Sequence, residues 1–219
     1  MLVISPHLDD AVLGCGALLA AHRSSVVLTV FAGTPRDAQH TDWDRRCGFA
    51  DARAAMAARR LEDDEALALL QAHALRLAFL DSQYGDTPSI ERVRDALRET
   101  RANAVPDRVL VPMGLFHSDH QLVHDAARAV FDGAPVWFYE DVPYRGLPGL
   151  LQQRLADWAC EGLTATPVRW AAREPERALK RRAVQAYRSQ QRAFGEHGWA
   201  DADQPERYWS LERAGGDAR

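Results

Sequence analysis

Two short stretches carry side chains able to hold a metal ion and move protons. Pro6-His7-Leu8-Asp9-Asp10-Ala11 sets an imidazole beside two adjacent carboxylates, and His117-Ser118-Asp119-His120 sets two imidazoles around a third carboxylate. Two imidazoles and a carboxylate suit a catalytic zinc, which takes three protein ligands and keeps one position for water. A further carboxylate beside the metal can take a proton from that water, and a further histidine can act as acid. Each stretch alone has a plainer explanation. The first reads as a helix N-cap with a hydrogen-bonded histidine nearby, and Ser118 or Asp119 reads as the cap of the helix that follows. Their joint appearance in a chain with 8 histidines favours metal-assisted hydrolysis without selecting a substrate.

Both stretches follow apolar runs, so the elements that position them can be read outward from there. Strand-like runs recur at 2–4, 26–31, 75–80, 108–112 and 136–139, with helical patterns between them. This alternation marks βαβ units and a mostly parallel sheet. Helices are expected from Asp9 or Asp10 to Arg23, across 47–73 as one broken helix or two, from about Pro88 with Ser89 as its cap, and from Gln121 to Phe131. Past residue 146 the expectations are a helix near 150–158, a strand near 164–171 and a long helix over 176–194. Trp199, Tyr208 and Trp209 are expected to dock on the body. Neighbouring parallel strands lie about 5 Å apart, so two turns at the same sheet edge can build one site.

Composition narrows the classes. One domain over 1–219 is expected, with a loose tail over 212–219, since 219 residues at 47% apolar content can bury one substantial core. Lys+Arg 27 against Asp+Glu 31, with the signs interspersed, gives a net charge of −4 and argues against a nucleic-acid groove. The three cysteines, Cys15, Cys47 and Cys160, form no CxxC pair, which points to a reducing cytoplasm. No apolar stretch approaches the roughly 18 residues of a membrane span. The mixed-charge run 59–65 reads as a solvated helix face. Asp81, at the end of the third run, either serves the crevice or caps a turn.

At these residues the chain resembles the zinc-dependent N-deacetylases that include the N-acetylglucosaminyl-phosphatidylinositol de-N-acetylases and the bacterial LmbE-like proteins. The family's His-Pro-Asp-Asp-Glu stands here as His7-Leu8-Asp9-Asp10-Ala11, followed by Gly14-Cys15-Gly16, and its His-Pro-Asp-His stands as His117-Ser118-Asp119-His120. Fainter echoes are Arg59-Arg60-Leu61-Glu62-Asp63, Tyr187-Arg188-Ser189-Gln190 and Glu206-Arg207-Tyr208-Trp209. The resemblance implies a Rossmann-like three-layer α/β sandwich. It also implies zinc, or another divalent metal, on His7, Asp10 and His120. Asp9 would be the general base and His117 the second acid/base group, stabilising the oxyanion or protonating the departing amine. Asp119 would orient a histidine, and Arg59, Arg60, Asp81 and Tyr144 would meet the substrate. The implied substrate is a small N-acetylated amino sugar or glycoconjugate, with homo-oligomerisation left open. Leu8, Ala11 and Ser118 depart from the family pattern, yet every residue given a metal or proton-transfer role is present.

Two other readings compete. Gly14-x-Gly16 after a first strand suggests a nucleotide-binding oxidoreductase, but Leu19 breaks the GxGxxG pattern and the carboxylates of Asp9 and Asp10 would repel a pyrophosphate. A non-catalytic zinc or carbohydrate-binding protein is the other; Trp43, Tyr84 and Tyr144 read equally as sugar-stacking faces and as packing. The loops 33–48, 81–88 and 140–149 are expected to set specificity.

Overall fold

The computed structural model describes residues 1–103 and 106–213. Strands β1 (Leu2–Ser5), β2 (Val26–Thr29), β3 (His73–Arg76), β4 (Val109–Pro112), β5 (Val136–Tyr139), β6 (Leu163–Pro167) and β7 (Tyr208–Arg213) form one sheet. The helices are α1 (Asp10–Ala21), α2 (Asp42–Cys47), α3 (Ala52–Leu70), α4 (Ile90–Asn103), α5 (Ser118–Val130), α6 (Leu150–Cys160), α7 (Glu174–Val184) and α8 (Arg188–Trp199). The strand order is β3-β2-β1-β4-β5-β7-β6. The first five strands run parallel, and β7 is antiparallel to both β5 and β6.

Alternation along the central strands builds the layers. Val3, Val27, Leu110 and Tyr139 pack under α1, α3 and α7, while Leu2, Ile4, Leu28, Val109, Val111 and Phe138 pack against α4, α5 and α6. Each fully buried side chain of this kind contributes about 1.5–3 kcal/mol of transfer free energy. The result is the expected three-layer α/β sandwich. The chain winds outward in opposite directions from β1 and β4, which are paired through Leu2↔Val109 and Val3↔Leu110. In such a sheet the crevice opens where the order reverses, at the carboxyl ends of those two strands. Both histidine-carboxylate stretches leave the sheet there.

Gly14 and Gly16 lie inside α1 and form no phosphate loop. A Cβ on Gly14 would stand 2.6 Å from the Tyr139 ring, and one on Gly16 would stand 2.8 Å from Lys180 Cγ. The glycines let α1 settle onto β5 and α7, which removes the basis for the oxidoreductase reading. Glu206 fastens the C-terminal segment to the same helix. Its carboxylate accepts the Ala17 and Leu18 N–H groups and the Tyr208 hydroxyl, and it pairs with Lys180 at 2.9 Å.

Several expected elements differ. The third strand is His73–Arg76, four residues set by pairing with β2, whereas the apolar run that follows it packs Leu77, Phe79 and Leu80 into the core clusters. The segment over 176–194 is two helices, α7 and α8, with Gly195 non-helical inside α8 at φ 67°. The polar segment after β2 ends in α2, whose start is a capping box between Thr41 and Asp44. Residues 212 and 213 close β7, and the rest of the expected loose tail lies outside the described residues, as does the side chain of Trp199. Tyr208 is buried, and Trp209 Nε1–H donates to Glu140 Oε1 at 3.0 Å, so both dock as expected. No helix of the described residues is long and apolar enough to cross a membrane.

Candidate active site

The turn leaving β1 is fixed by short-range hydrogen bonds. Ser5 Oγ–H donates to the His7 carbonyl at 2.6 Å and accepts the Ala11 N–H at 3.0 Å, while Asp10 Oδ2 accepts the His7 N–H at 2.8 Å. Leu8, where the family has proline, is buried against Ala32, Ala52, Met56 and Tyr84, so packing holds the turn. Asp9 occupies the N-cap position of α1, yet its side chain caps nothing. Its carboxylate faces a cavity of about 380 Å³ at the sheet edge, lined also by His7, Asp10, Arg59, Asp81, His117, His120 and Tyr144.

Three potential ligand atoms converge at the cavity floor. Asp10 Oδ2 lies 3.2 Å from His7 Nδ1 and 3.2 Å from His120 Nε2. The outer nitrogen of each ring is engaged elsewhere. His7 Nε2 meets Asp119 Oδ2 at 3.1 Å, and His120 Nδ1 meets Asp141 Oδ1 at 2.6 Å. A carboxylate can only accept, so these partners keep a proton on His7 Nε2 and on His120 Nδ1 and leave the nitrogens that face Asp10 as the ones a cation would take in exchange for their protons. Asp119 Oδ2 is itself held by the Ser82 N–H at 3.0 Å, and Asp141 Oδ2 by the Leu115 N–H at 2.9 Å. Imidazole ligands oriented by carboxylates are the usual surroundings of a transition metal. The donor set fits a divalent cation.

The electrostatics agree with that use. Burial drives His7 down, but the Asp81 charge and hydrogen bonds to Asp10 and Asp119 override it and hold His7 well above the ordinary imidazole value. Burial likewise opposes His120, which Asp10 and Asp141 raise to about 9. Against the penalty of burial, the two histidines hold Asp10 well below the usual carboxylate range. The pocket therefore favours positive charge between its carboxylates. Asp9 departs in the opposite sense: burial and the Asp10 charge raise it, with Arg59 and His7 pulling against them. Burial and the charges of His7 and His120 lower His117.

His117 itself caps α5, its Nδ1 accepting the Asp119 N–H at 3.2 Å. Neither Ser118 nor Asp119 fills that place. With Nδ1 an acceptor, the proton of neutral His117 sits on Nε2. Arg59 stands 3.9 Å from Asp9 and 3.6 Å from Asp81, and its Nε has no hydrogen-bond partner. Asp81 does both things considered for it: it caps a 3-10 turn by accepting the Gln83 N–H at 3.1 Å, and it lines the cavity. Arg60, one helical position on, turns away and donates to the Ala32 carbonyl, outside the cavity lining. Trp43 and Tyr144 line the cavity, whereas Tyr84 is buried with its hydroxyl on Asp44.

The run 59–65 is solvated on one side alone, where Leu61, Asp64 and Glu65 are exposed. Arg59, Glu62 and Asp63 are buried: three- and four-residue spacing sets them on one side of α3, Arg59 toward the cavity and the two carboxylates toward Tyr187 and Ser189. Glu62 accepts Ser189 N–H and Oγ–H at 2.9 and 2.6 Å, and Asp63 accepts the Tyr187 hydroxyl at 3.0 Å and pairs with Arg76. Ser189 Oγ takes a hydrogen bond from Gln190, whose Oε1 accepts Trp43 Nε1–H at 3.1 Å. No sequence motif singles out Asp141. The signal available was its place, two residues past the end of β5 beside β4.

Comparison with known proteins gives the family. 2'-N-acetylparomamine deacetylase of Streptomyces fradiae is 36% identical over 167 residues, which span 66% of this chain and 57% of that protein. The match thus covers little more than half the relative's length. The solved structure of the A40926 pseudoaglycone deacetylase Dbv21 has a TM-score of 0.81 at 27% identity, covering 99% of this chain and 98% of that one. The zinc-inhibited form of the teicoplanin deacetylase Orf2 has a TM-score of 0.76 at 27% identity, covering 99% of each chain. The PIG-L family profile, described as GlcNAc-PI de-N-acetylase, matches residues 2–131, a span that holds both histidine-carboxylate stretches. The chain belongs to the PIG-L family.

Proposed function

We propose that this protein is a zinc-dependent N-deacetylase that hydrolyses the acetamide of an N-acetylated amino sugar or its conjugate, releasing acetate and a free amine. The observation that carries the reading is the convergence of His7 Nδ1, Asp10 Oδ2 and His120 Nε2 beside an Asp9 carboxylate that caps nothing. The relatives, a 2'-N-acetylparomamine deacetylase and an A40926 pseudoaglycone deacetylase, support the reaction class. Zinc is preferred over another divalent metal because two imidazoles and one carboxylate match its usual catalytic ligand set.

A zinc ion on these three ligands supplies Lewis acidity toward water and the acetyl carbonyl. Asp9 accepts a proton from the attacking water as its oxygen bonds to the carbonyl carbon. His117 Nε2–H donates to the oxyanion that forms. The C–N bond then breaks, and the proton held by Asp9 passes to the nitrogen. Neutral His117 cannot give up its single ring proton to the amine at reasonable cost, so its lowered pKa supports the oxyanion role and leaves amine protonation to Asp9. Arg59 and Asp81, both in the cavity lining, offer a donor and an acceptor for sugar hydroxyls. The free cysteines fit a cytoplasmic setting.

The test is amine release from a panel of N-acetyl-hexosamine conjugates by wild type and Asp9→Asn. Wild type releases amine; Asp9→Asn keeps its metal and loses about 10²–10⁴-fold in rate. Undiminished turnover in Asp9→Asn would overturn the mechanism, and metal binding without turnover of any conjugate would favour the non-catalytic reading.

A further inference from the structure

Between β4 and α5 the chain makes a bend with two positive φ angles, Gly114 at 74° and Phe116 at 61°. Glycine meets that demand freely, but a bulky aromatic residue in the left-handed region is an outlier. Phe116 also gains little from burial, since it is 61% exposed. Its ring touches Tyr144, with centroids 5.4 Å apart and planes tilted by 35°. Backbone conformation and solvent both favour a small polar residue at this position, yet the chain carries a phenylalanine. Local rules broken together in this way mark functional positions.

The location says what the function is. Phe116 directly precedes His117, and Tyr144, against which it packs, lines the cavity and also stacks on the His117 ring at 6.1 Å. Phe116 lies outside the lining, so it is the next ring outward from the site along that wall. Leu147, three residues beyond Tyr144, is 44% exposed, and its N–H donates to the Tyr144 carbonyl. The other exposed large apolar side chains among the described residues, Leu61 and Leu75, stand singly on α3 and β3. In a 2-acetamido sugar, the amide nitrogen and the glycosidic oxygen sit on adjacent ring carbons, no more than about 4 Å apart at ordinary bond lengths. Whatever is attached at the anomeric carbon must therefore leave the cavity close to His117.

We propose that Phe116, backed by Tyr144, is a specificity residue that stacks on an apolar, ring-bearing aglycone, so that the preferred substrate is a 2-acetamido glycoside of an aromatic alcohol and not a free or wholly polar sugar. This rests on the deacetylase reading above and narrows its substrate class. The stacking partner is a flat apolar face, because the Phe116 ring has no polar group to offer and an edge-on or offset ring is its best complement.

The test compares zinc-loaded wild type and Phe116→Asn on the methyl and phenyl 2-acetamido-2-deoxy-β-D-glucopyranosides. Asparagine tolerates the left-handed backbone and deletes the ring. Wild type is expected to favour the phenyl glycoside by about tenfold in kcat/KM, chiefly through KM, the size of one aromatic contact. Phe116→Asn is expected to bring the phenyl-to-methyl ratio close to one. A wild-type ratio near one, or a variant that keeps the wild-type ratio, overturns the proposal while leaving deacetylation intact. Amine release from neither glycoside removes the deacetylase reading, and this inference with it.

Discussion

Asp141→Asn isolates the part of the site that orients a ligand without touching the substrate. Asp141 spans two donors: Oδ1 accepts His120 Nδ1–H at 2.6 Å and Oδ2 accepts the Leu115 N–H at 2.9 Å. Asparagine has only one acceptor oxygen. If that oxygen stays on Leu115, the amide NH₂ faces His120 Nδ1, which must then accept; the ring proton moves to Nε2, the nitrogen 3.2 Å from Asp10, and blocks the metal position. If the amide flips, His120 keeps its tautomer but two donors oppose each other at Leu115, in a site where Asp141 is 1% exposed. Loss of such an orienting carboxylate typically weakens metal affinity 10–100-fold, which corresponds to about 1.4–2.7 kcal/mol. The assay is a metal-buffered zinc titration read by amine release. Asp141→Asn is expected to need about 10–100-fold more free zinc for half-maximal activity, with much of the rate recovered at saturation. An unchanged zinc midpoint would refute the reasoning, as would a rate that stays low at every zinc concentration while zinc binds normally.

Two further outcomes follow from the same geometry. His120 is raised to about 9 and His7 is held well above its ordinary value, so zinc competes with protons for both rings. Zinc affinity is therefore expected to rise with pH up to about 9 and to fall as pH drops, with a net release of protons on binding near pH 7; calorimetric titration in buffers of different ionisation enthalpy reads that release directly, and a value of zero would contradict it. Gly14→Ala drives a methyl group to 2.6 Å from the Tyr139 ring, whose hydroxyl is anchored on the Ile4 carbonyl at 2.9 Å. Overpacking of this kind costs about 1–3 kcal/mol, and thermal unfolding should show a Tm lowered by about 2–4 °C for each kcal/mol. A Tm equal to wild type would mean that α1 does not need its close approach to β5.

The part of the site that was legible in sequence lay where side-chain chemistry and sheet topology coincide. His7, Asp9, Asp10, His117, Asp119 and His120 are uncommon residue types in these groupings, each in the turn between an apolar strand and a helix. The strands they follow are neighbours at the point where strand order reverses. Asp141 was hidden because a lone carboxylate in a polar turn is unremarkable until β5 is known to lie beside β4. The buried side of α3 was hidden because charges are ordinarily solvated, and only the segment that joins α7 to the start of α8 supplies Tyr187 and Ser189 as partners. β3 was misplaced since it is an edge strand with little burial, defined by backbone pairing while the apolar run beyond it packs as extended chain. β7 was missed for a similar reason: its antiparallel register with β5 and β6 depends on contacts far away in sequence.

The most direct measurement of the central claim is stoichiometric reconstitution. The protein is stripped with a chelator, returned to a metal-free buffer and titrated with zinc while amine release from an N-acetylated amino-sugar conjugate is followed, in parallel with His120→Ala. The expected result is no release from stripped wild type, recovery that saturates at about one zinc per chain as a three-ligand catalytic site requires, and no recovery at that zinc level in His120→Ala. Amine release that survives chelation, or full recovery by His120→Ala at one equivalent, would contradict a metal-dependent deacetylase built on His7, Asp10 and His120.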